Sequence, residues 1–177
     1  AVRFEKVTFS YGDLTVLEDV SFHLHAGEFA AIVGPNGSGK TTLVRLILAL
    51  ARPRSGHVEV LGLNPESARD SIGYVPQYAP FDQAFPISVE EVVRMGRLHG
   101  SLGRYRASDR TCIDKALALA DISDLRRRPY AALSGGQRRR ALVARAPAGE
   151  PELLILDEPT ANMDVESEGR LYRALGH

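Results

Sequence analysis

Residues Glu28–Thr42 read EFAAIVGPNGSGKTT. The second half fits G-x-x-x-x-G-K-[ST], and the first half is a short apolar run of the kind that forms a strand buried on both faces. A strand, a glycine-rich turn and a helix from Gly39 to about Ala51, closed off by Pro53, are therefore predicted in that order. Gly34, Gly37 and Gly39 let the backbone bend until successive N–H groups point inward, forming an anion nest at the positive end of a helix. Asn36 and Ser38 complete the loop. Lys40 reaches the β- and γ-phosphates of a nucleoside triphosphate, the Thr41 hydroxyl ligates Mg²⁺, and Thr42 is well placed for the α-phosphate. A turn that only connects strand to helix has no use for Lys-Thr-Thr at these offsets. The glycine spacing also differs from the G-x-G-x-x-G of dinucleotide folds.

Outward from this loop, VRFEKVTFSY (Val2–Tyr11) and Val16–Leu24 alternate as strands, as does HVEVLG between Gly56 and Gly62. SIGYVPQ suggests a further short strand. From Ser88 to about Ala146 the apolar period changes to a helical one, with Val89, Val92 and Val93 on one helix and Ser108–Asp121 forming another, capped by Ser108. LLILD then marks a second buried strand, and a last helix begins near Val165. A helical block is thus inserted into a strand-rich frame.

The end of that second buried strand carries Asp157 and Glu158. Ligands of open parallel sheets bind at the carboxyl ends of strands. Asp157 is expected to hold Mg²⁺, and Glu158 to act as general base for an attacking water. An acidic pair after a strand is more often a cap or a loop charge; a phosphate loop in the same chain reverses that preference. Tyr11 either stacks on adenine or packs at a strand edge. Gln77 is by residue type a solvated loop glutamine, and its amide is also able to meet Mg²⁺ or the lytic water.

ALSGGQRRRAL, from Ala132 to Leu142, begins a helix with a capping serine and two glycines that helix entry does not need. Together with GPNGSGKTT, YVPQ, LLILDEP and ANMD, in chain order, LSGGQ resembles the nucleotide-binding subunit of ATP-binding cassette (ABC) transporters. The resemblance covers nearly the whole chain. It implies an α/β P-loop NTPase fold: a RecA-like core with an antiparallel β subdomain (residues 1–87 and 147–177) and an inserted α-helical subdomain (residues 88–146), in one domain. It implies ATP and Mg²⁺ as ligands, and two copies packed head to tail around two ATP molecules. Ser134, Gly135, Gly136 and Gln137 then serve the other copy's γ-phosphate, and Asp164 meets the opposing phosphate loop. Tyr11 and Gln77 match the family's adenine-stacking and glutamine-loop positions, and Lys40, Gln77 and Glu158 its catalytic ones.

YVPQYAPFDQAFPISVEEVVRMGR is similar to the same stretch in ATPase subunits of zinc, manganese or iron importers, where the family docks its transmembrane permease subunits. Phe81, Phe85 and Met95 are candidates for that docking groove, with helix packing an equal reading of Met95. The implied function is to power divalent metal import from the inner face of the cell membrane. The alternatives are a nonhydrolytic nucleotide-binding remnant and a soluble ABC ATPase unlinked to transport.

Composition narrows the choice. Lys plus Arg and Asp plus Glu number 22 each, so the formal charge is zero and a general electrostatic grip on nucleic acid is not expected. The arginine runs at 126–128 and 138–140 read as solvated faces. The lone Cys112 reads as a small buried hydrophobe in a reducing compartment. The apolar run Leu43–Ala51 is interrupted by Arg45 and is far short of the ~20 residues that span a bilayer, and Arg3, Glu5 and Lys6 break up any signal-peptide pattern. His23 and His25 are expected to be solvated or bonded to neighbours rather than metal ligands. Two departures from the family pattern stand out. The sequence stops at His177 before the family's final strands, so His177 is not assigned the histidine that supports the γ-phosphate; truncation is expected, with this chain alone binding MgATP and turning it over slowly or not at all. Pro147 should end the signature helix early.

Overall fold

The structure, a computed structural model, describes residues 1–77, 86–97 and 105–157. It divides into two compact units, residues 1–72 and 73–177. Glu158, Asp164, Phe81, Phe85, His177 and the helix expected from Val165 lie outside the described residues.

In the first unit, β1 (Val2–Tyr11) pairs antiparallel with β2 (Leu14–Leu24) on one side and β3 (Ser55–Val60) on the other. Period-two alternation turns Val2 and Phe4 inward. The alternation slips at Lys6, whose φ of 47° makes a bulge, and resumes with Val7 and Phe9. Helix α1 (Lys40–Ile47) buries Val44, Leu46 and Ile47. It is shorter than predicted, because the chain turns at Leu48 and Ala49, the latter with a φ of 53°. A single turn, α2 (Pro65–Ala68), is capped by Asn64, whose side chain accepts from the Ser67 N–H at 2.9 Å.

The strand expected at residues 28–33 is not formed. Those residues take no regular structure and are exposed, Val33 by 91%. A doubly buried strand exists only when neighbouring strands satisfy its N–H and C=O groups, and no strand among the described residues is paired with this run.

In the second unit, β4 (Ile72–Val75) pairs with β5 (Leu153–Leu156). Three helices, α3 (Val89–Arg94), α4 (Ala107–Leu119) and α5 (Gly135–Ala148), form the helical block. Their shared core is an apolar stripe from each: Val89, Val92 and Val93; Ile113, Ala116 and Leu117; Ala141, Ala144 and Ala148. Ser88 caps α3 through a capping box with Glu91, as the sequence pattern requires. The predicted Ser108 cap is not used. The helix starts one residue earlier because the Asp109 carboxylate accepts from the Arg106 N–H at 2.6 Å and from Arg97 at 2.7 Å. Arg97 also reaches Glu150 at 2.8 Å, tying α4 to the end of α5.

These bonds hold the Asp109 carboxyl below its ordinary range, the Arg106 N–H contributing most and Arg97 next. A depressed carboxyl stabilises the fold fully above the unfolded value of about 4 and loses that contribution as the pH falls through the lower folded value. Asp109→Asn should therefore destabilise the chain at pH 7, and the gap to the unsubstituted chain should close below about pH 4. Urea unfolding at pH 7 and pH 3 measures this.

Pro147 does not end α5 early. The helix runs to Ala148, and the chain closes by i→i−3 bonds from Gly149 to Ala146 and from Glu150 to Pro147. The proline sits in the last turn, where one backbone bond is lost, and burial of Ala144, Ala146 and Ala148 offsets that loss. Cys112 is half-buried, its thiol pushed up first by burial and then by a hydrogen bond to Glu150. The arginine runs are not plain solvated faces either. Arg126 pairs with Glu90 at 2.8 Å and Asp114 at 2.6 Å, and Arg139 is only 7% exposed. No helix among the described residues is long and apolar enough to cross a membrane.

Candidate functional site

The phosphate loop, residues 34–39, leads directly into α1. Gly37 and Gly39 adopt φ of 84° and 91°, the left-handed region in which side chains are strained. At Gly39 a Cβ would also lie 2.9 Å from Leu17 Cδ2. The N-cap of α1 is Gly39, which has no side chain to cap the first-turn amides. Lys40 Nζ donates to the carbonyls of Gly34 at 2.8 Å and Pro35 at 2.9 Å. The ammonium thus folds back onto the loop's own carbonyls, and the Ser38 N–H donates to the Pro35 carbonyl at 3.2 Å. Asn36, Ser38 and Thr41 are exposed. Ser38 packs over Gly34, where a Cβ would come within 2.7 Å of the serine Oγ.

Tyr11 belongs to the same unit. Its ring stands edge-on to Phe9 at 4.8 Å and is nearly half exposed. Its hydroxyl is bonded to the buried Thr42 and to Arg45 at 3.0 Å, which hold it below the ordinary tyrosine value, Thr42 contributing most. The strand-edge reading and the stacking reading are therefore compatible: one ring edge packs, and the hydroxyl pins the ring to α1. On the stacking reading, Tyr11→Ala is expected to weaken nucleotide binding roughly 5- to 150-fold, the ~1 to 3 kcal/mol of a stacked base, whereas Tyr11→Phe retains most of the affinity. Titration with a fluorescent ATP analogue reads both.

In the second unit, Ser134 caps α5 by a capping box. Its Oγ accepts from the Gln137 N–H at 3.3 Å, and Gln137 Oε1 accepts from the Ser134 N–H at 3.0 Å. The cap occupies acceptor capacity of the hydroxyl and leaves its proton to donate elsewhere. The amides of Gly135 and Gly136 take no part in the cap. Gly135 is exposed, its φ is not left-handed, and among the described residues no atom outside its neighbours and its own helix backbone lies within 4 Å of where its Cβ would be. Neither backbone strain nor packing within the described residues requires a glycine there.

Asp157 follows β5, and its N–H donates to the Val75 carbonyl at 2.9 Å. Tyr74 Oη approaches Asp157 Oδ2 at 3.5 Å. Gln77 is exposed just past the end of β4. Sequence reasoning missed Arg139, which donates to the backbone carbonyls of Pro76, Gln77 at 3.3 Å and Asp157 at 2.9 Å. Its signal was present in the i, i+4, i+7 spacing of Arg139, Val143 and Ala146, the buried face of α5. It also missed Arg45 as the partner of Tyr11, a contact across 34 residues that no local pattern reveals.

Thr41 in the first unit and Gln77 and Asp157 in the second each carry a hard oxygen donor of the type that suits Mg²⁺ rather than a soft metal. The rings of His23 and His25 pack on each other with centroids 4.2 Å apart.

A glycine-rich loop before a helix, an acidic strand end and a serine-and-glycine helix start together define an ABC-type nucleotide-binding fold, and the chain belongs to the ABC transporter family, whose model matches residues 17–161. It is an ATP-binding subunit of that family. It is 42% identical, over 97% of its length and 72% of the relative's, to a "Probable metal transport system ATP-binding protein" of Chlamydia pneumoniae. To the high-affinity zinc uptake system ATP-binding protein of Bacillus subtilis strain 168 it is 38% identical, over 99% of this chain and 78% of the other. Among solved structures, cbiO1 from Clostridium perfringens, part of the transporter complex cbiONQ, superimposes with a TM-score of 0.82 at 29% identity, covering 99% of this chain and 72% of that one.

Proposed function

We propose that this chain binds and hydrolyses ATP with Mg²⁺, paired head to tail with a second copy, and thereby drives divalent metal import, zinc foremost, through transmembrane permease subunits on the inner face of the cell membrane. The observation that carries the pairing is Gly135: a glycine that neither backbone strain nor packing among the described residues requires, at an exposed helix start, with an amide that the Ser134 cap does not use. Such a tip suits a phosphate brought by another molecule. The choice of metal rests on what the similar subunits are named for.

The roles follow from the chemistry of each side chain. Lys40 and the loop amides of Gly34, Asn36, Gly37, Ser38 and Gly39 bind the triphosphate; Tyr11 stacks on the base, and Thr42 lies toward the α-phosphate. Thr41, Gln77 and Asp157 supply oxygen ligands to Mg²⁺, which neutralises charge on the β- and γ-oxygens when bound. Gln77 orients the lytic water, and Glu158 takes its proton as the water oxygen bonds to the γ-phosphorus and the bond to the bridging oxygen breaks, releasing ADP and phosphate. Ser134, Gly135, Gly136 and Gln137 face the partner's γ-phosphate, and Asp164 faces the partner's phosphate loop.

The test combines phosphate release with sedimentation of the chain in ATP. Release together with an ATP-dependent dimer, and a Glu158→Gln variant that dimerises without release, is the expected result. ATP binding with neither release nor dimer would favour the nonhydrolytic remnant. Zn²⁺ uptake by cells carrying the permease then reports the cargo.

A further inference from the structure

Arg139 is a buried, charged side chain of the second unit that the roles above leave unused. It lies on α5 five residues past Ser134, so it is part of the same helix as the tip that faces the partner's nucleotide. Its guanidinium reaches past the helix to two separate segments: Nη1 donates to the carbonyls of Pro76 and Gln77, the residues that follow β4, and Nη2 donates to the carbonyl of Asp157, the residue that follows β5. A planar fork with donors pointing in fixed, divergent directions can join two strand ends in this way, whereas a lysine, a single point charge on a flexible stem, engages them only in part. The Asp157 N–H to the Val75 carbonyl and the Tyr74 hydroxyl to the Asp157 carboxylate complete a frame in which the backbone of both oxygen ligands is fixed.

We infer that Arg139 is a positioning residue that sets the backbone of Gln77 and Asp157 for Mg²⁺ and fastens both to the helix whose tip serves the partner's nucleotide. This rests on the reading of Gln77 and Asp157 as metal ligands given above. The bonds of Arg139 given above go to backbone carbonyls, so its loss is expected to act on the metal-dependent part of binding and to spare the part owed to the phosphate loop.

The experiment measures the affinity of a fluorescent ATP analogue in EDTA and in excess Mg²⁺ for the unsubstituted chain, Arg139→Met and Arg139→Lys, with thermal melting of each. For Arg139→Met the expected affinity in EDTA is within about twofold of the unsubstituted chain, and the Mg²⁺-dependent gain falls at least about fivefold; Arg139→Lys recovers part of the gain. A gain fully retained in Arg139→Met overturns the inference. If the methionine chain does not fold, the lysine chain decides: a folded lysine chain with reduced gain supports the inference, and one with the gain intact overturns it. An unsubstituted chain that binds ATP but gains nothing from Mg²⁺ overturns the assignment of Gln77 and Asp157 instead, and the inference with it.

Discussion

Gly135→Asp should leave the melting temperature of the chain unchanged or slightly raised while lowering ATP turnover of the assembled transporter at least about 100-fold and abolishing ATP-dependent pairing. The fold tolerates the change for stated reasons. Among the described residues no atom outside its neighbours and its own helix backbone lies within 4 Å of the new Cβ, the backbone is not left-handed, and the residue is exposed. An aspartate in the first turn of α5 also complements the positive end of the helix, worth about 0.3 to 1 kcal/mol. What the carboxylate disturbs is the approach of another anion. The helix start that favours it is the one proposed to receive a γ-phosphate, and two negative charges a few ångströms apart in a site closed from water repel strongly. Scanning fluorimetry and phosphate release on the same preparation separate the two effects. A parallel fall in both would mean that the glycine serves folding, and the trans site would be lost with it.

Lys40→Ala should weaken ATP binding roughly 10- to 150-fold, the ~1.5 to 3 kcal/mol of charged hydrogen bonds, and bring turnover to background. The Lys40 ammonium rests on the carbonyls of Gly34 and Pro35, exposed on the loop it closes, so removing it costs the fold little. Charge develops on the γ-phosphate oxygens during transfer, and a cation on the loop that holds them stabilises it. Lys40→Arg should not restore activity, because a wide planar fork cannot occupy the place of a compact ammonium between two carbonyls. Isothermal titration with ATP and phosphate release test both variants; turnover near that of the unsubstituted chain in Lys40→Ala would remove the phosphate loop from the mechanism.

The second unit shows how far local patterns carry. Val89, Val92 and Val93 name the buried face of α3 by their spacing, whereas its capping box of Ser88 and Glu91 is seen in the structure. The start of α4 was misread by one residue, since Asp109 reaches back to Arg106 and its choice depends on Arg97, 12 residues away. Pro147 was read as a stop because local rules price the lost N–H, whereas the helix end is decided by the burial of the alanines around it. Residues 28–33 were read as a strand because they are apolar, and apolarity alone supplies no hydrogen-bonding neighbour.

The sequence by itself determined the chemistry on offer: a phosphate loop opening a helix, a carboxylate at a strand end, a serine with two glycines at a helix start, and the family these define. All are short-range patterns, set by residues within one turn or one loop of each other. Only the tertiary structure decided that the Tyr11 hydroxyl is tied to Thr42 and Arg45, that Arg139 is buried and spans the ends of β4 and β5, and that Gly135 faces open space. Those facts depend on which distant segments the hydrophobic core brings together, and a backbone carbonyl accepts a hydrogen bond whatever its side chain, so residue identity alone gives no sign of such contacts.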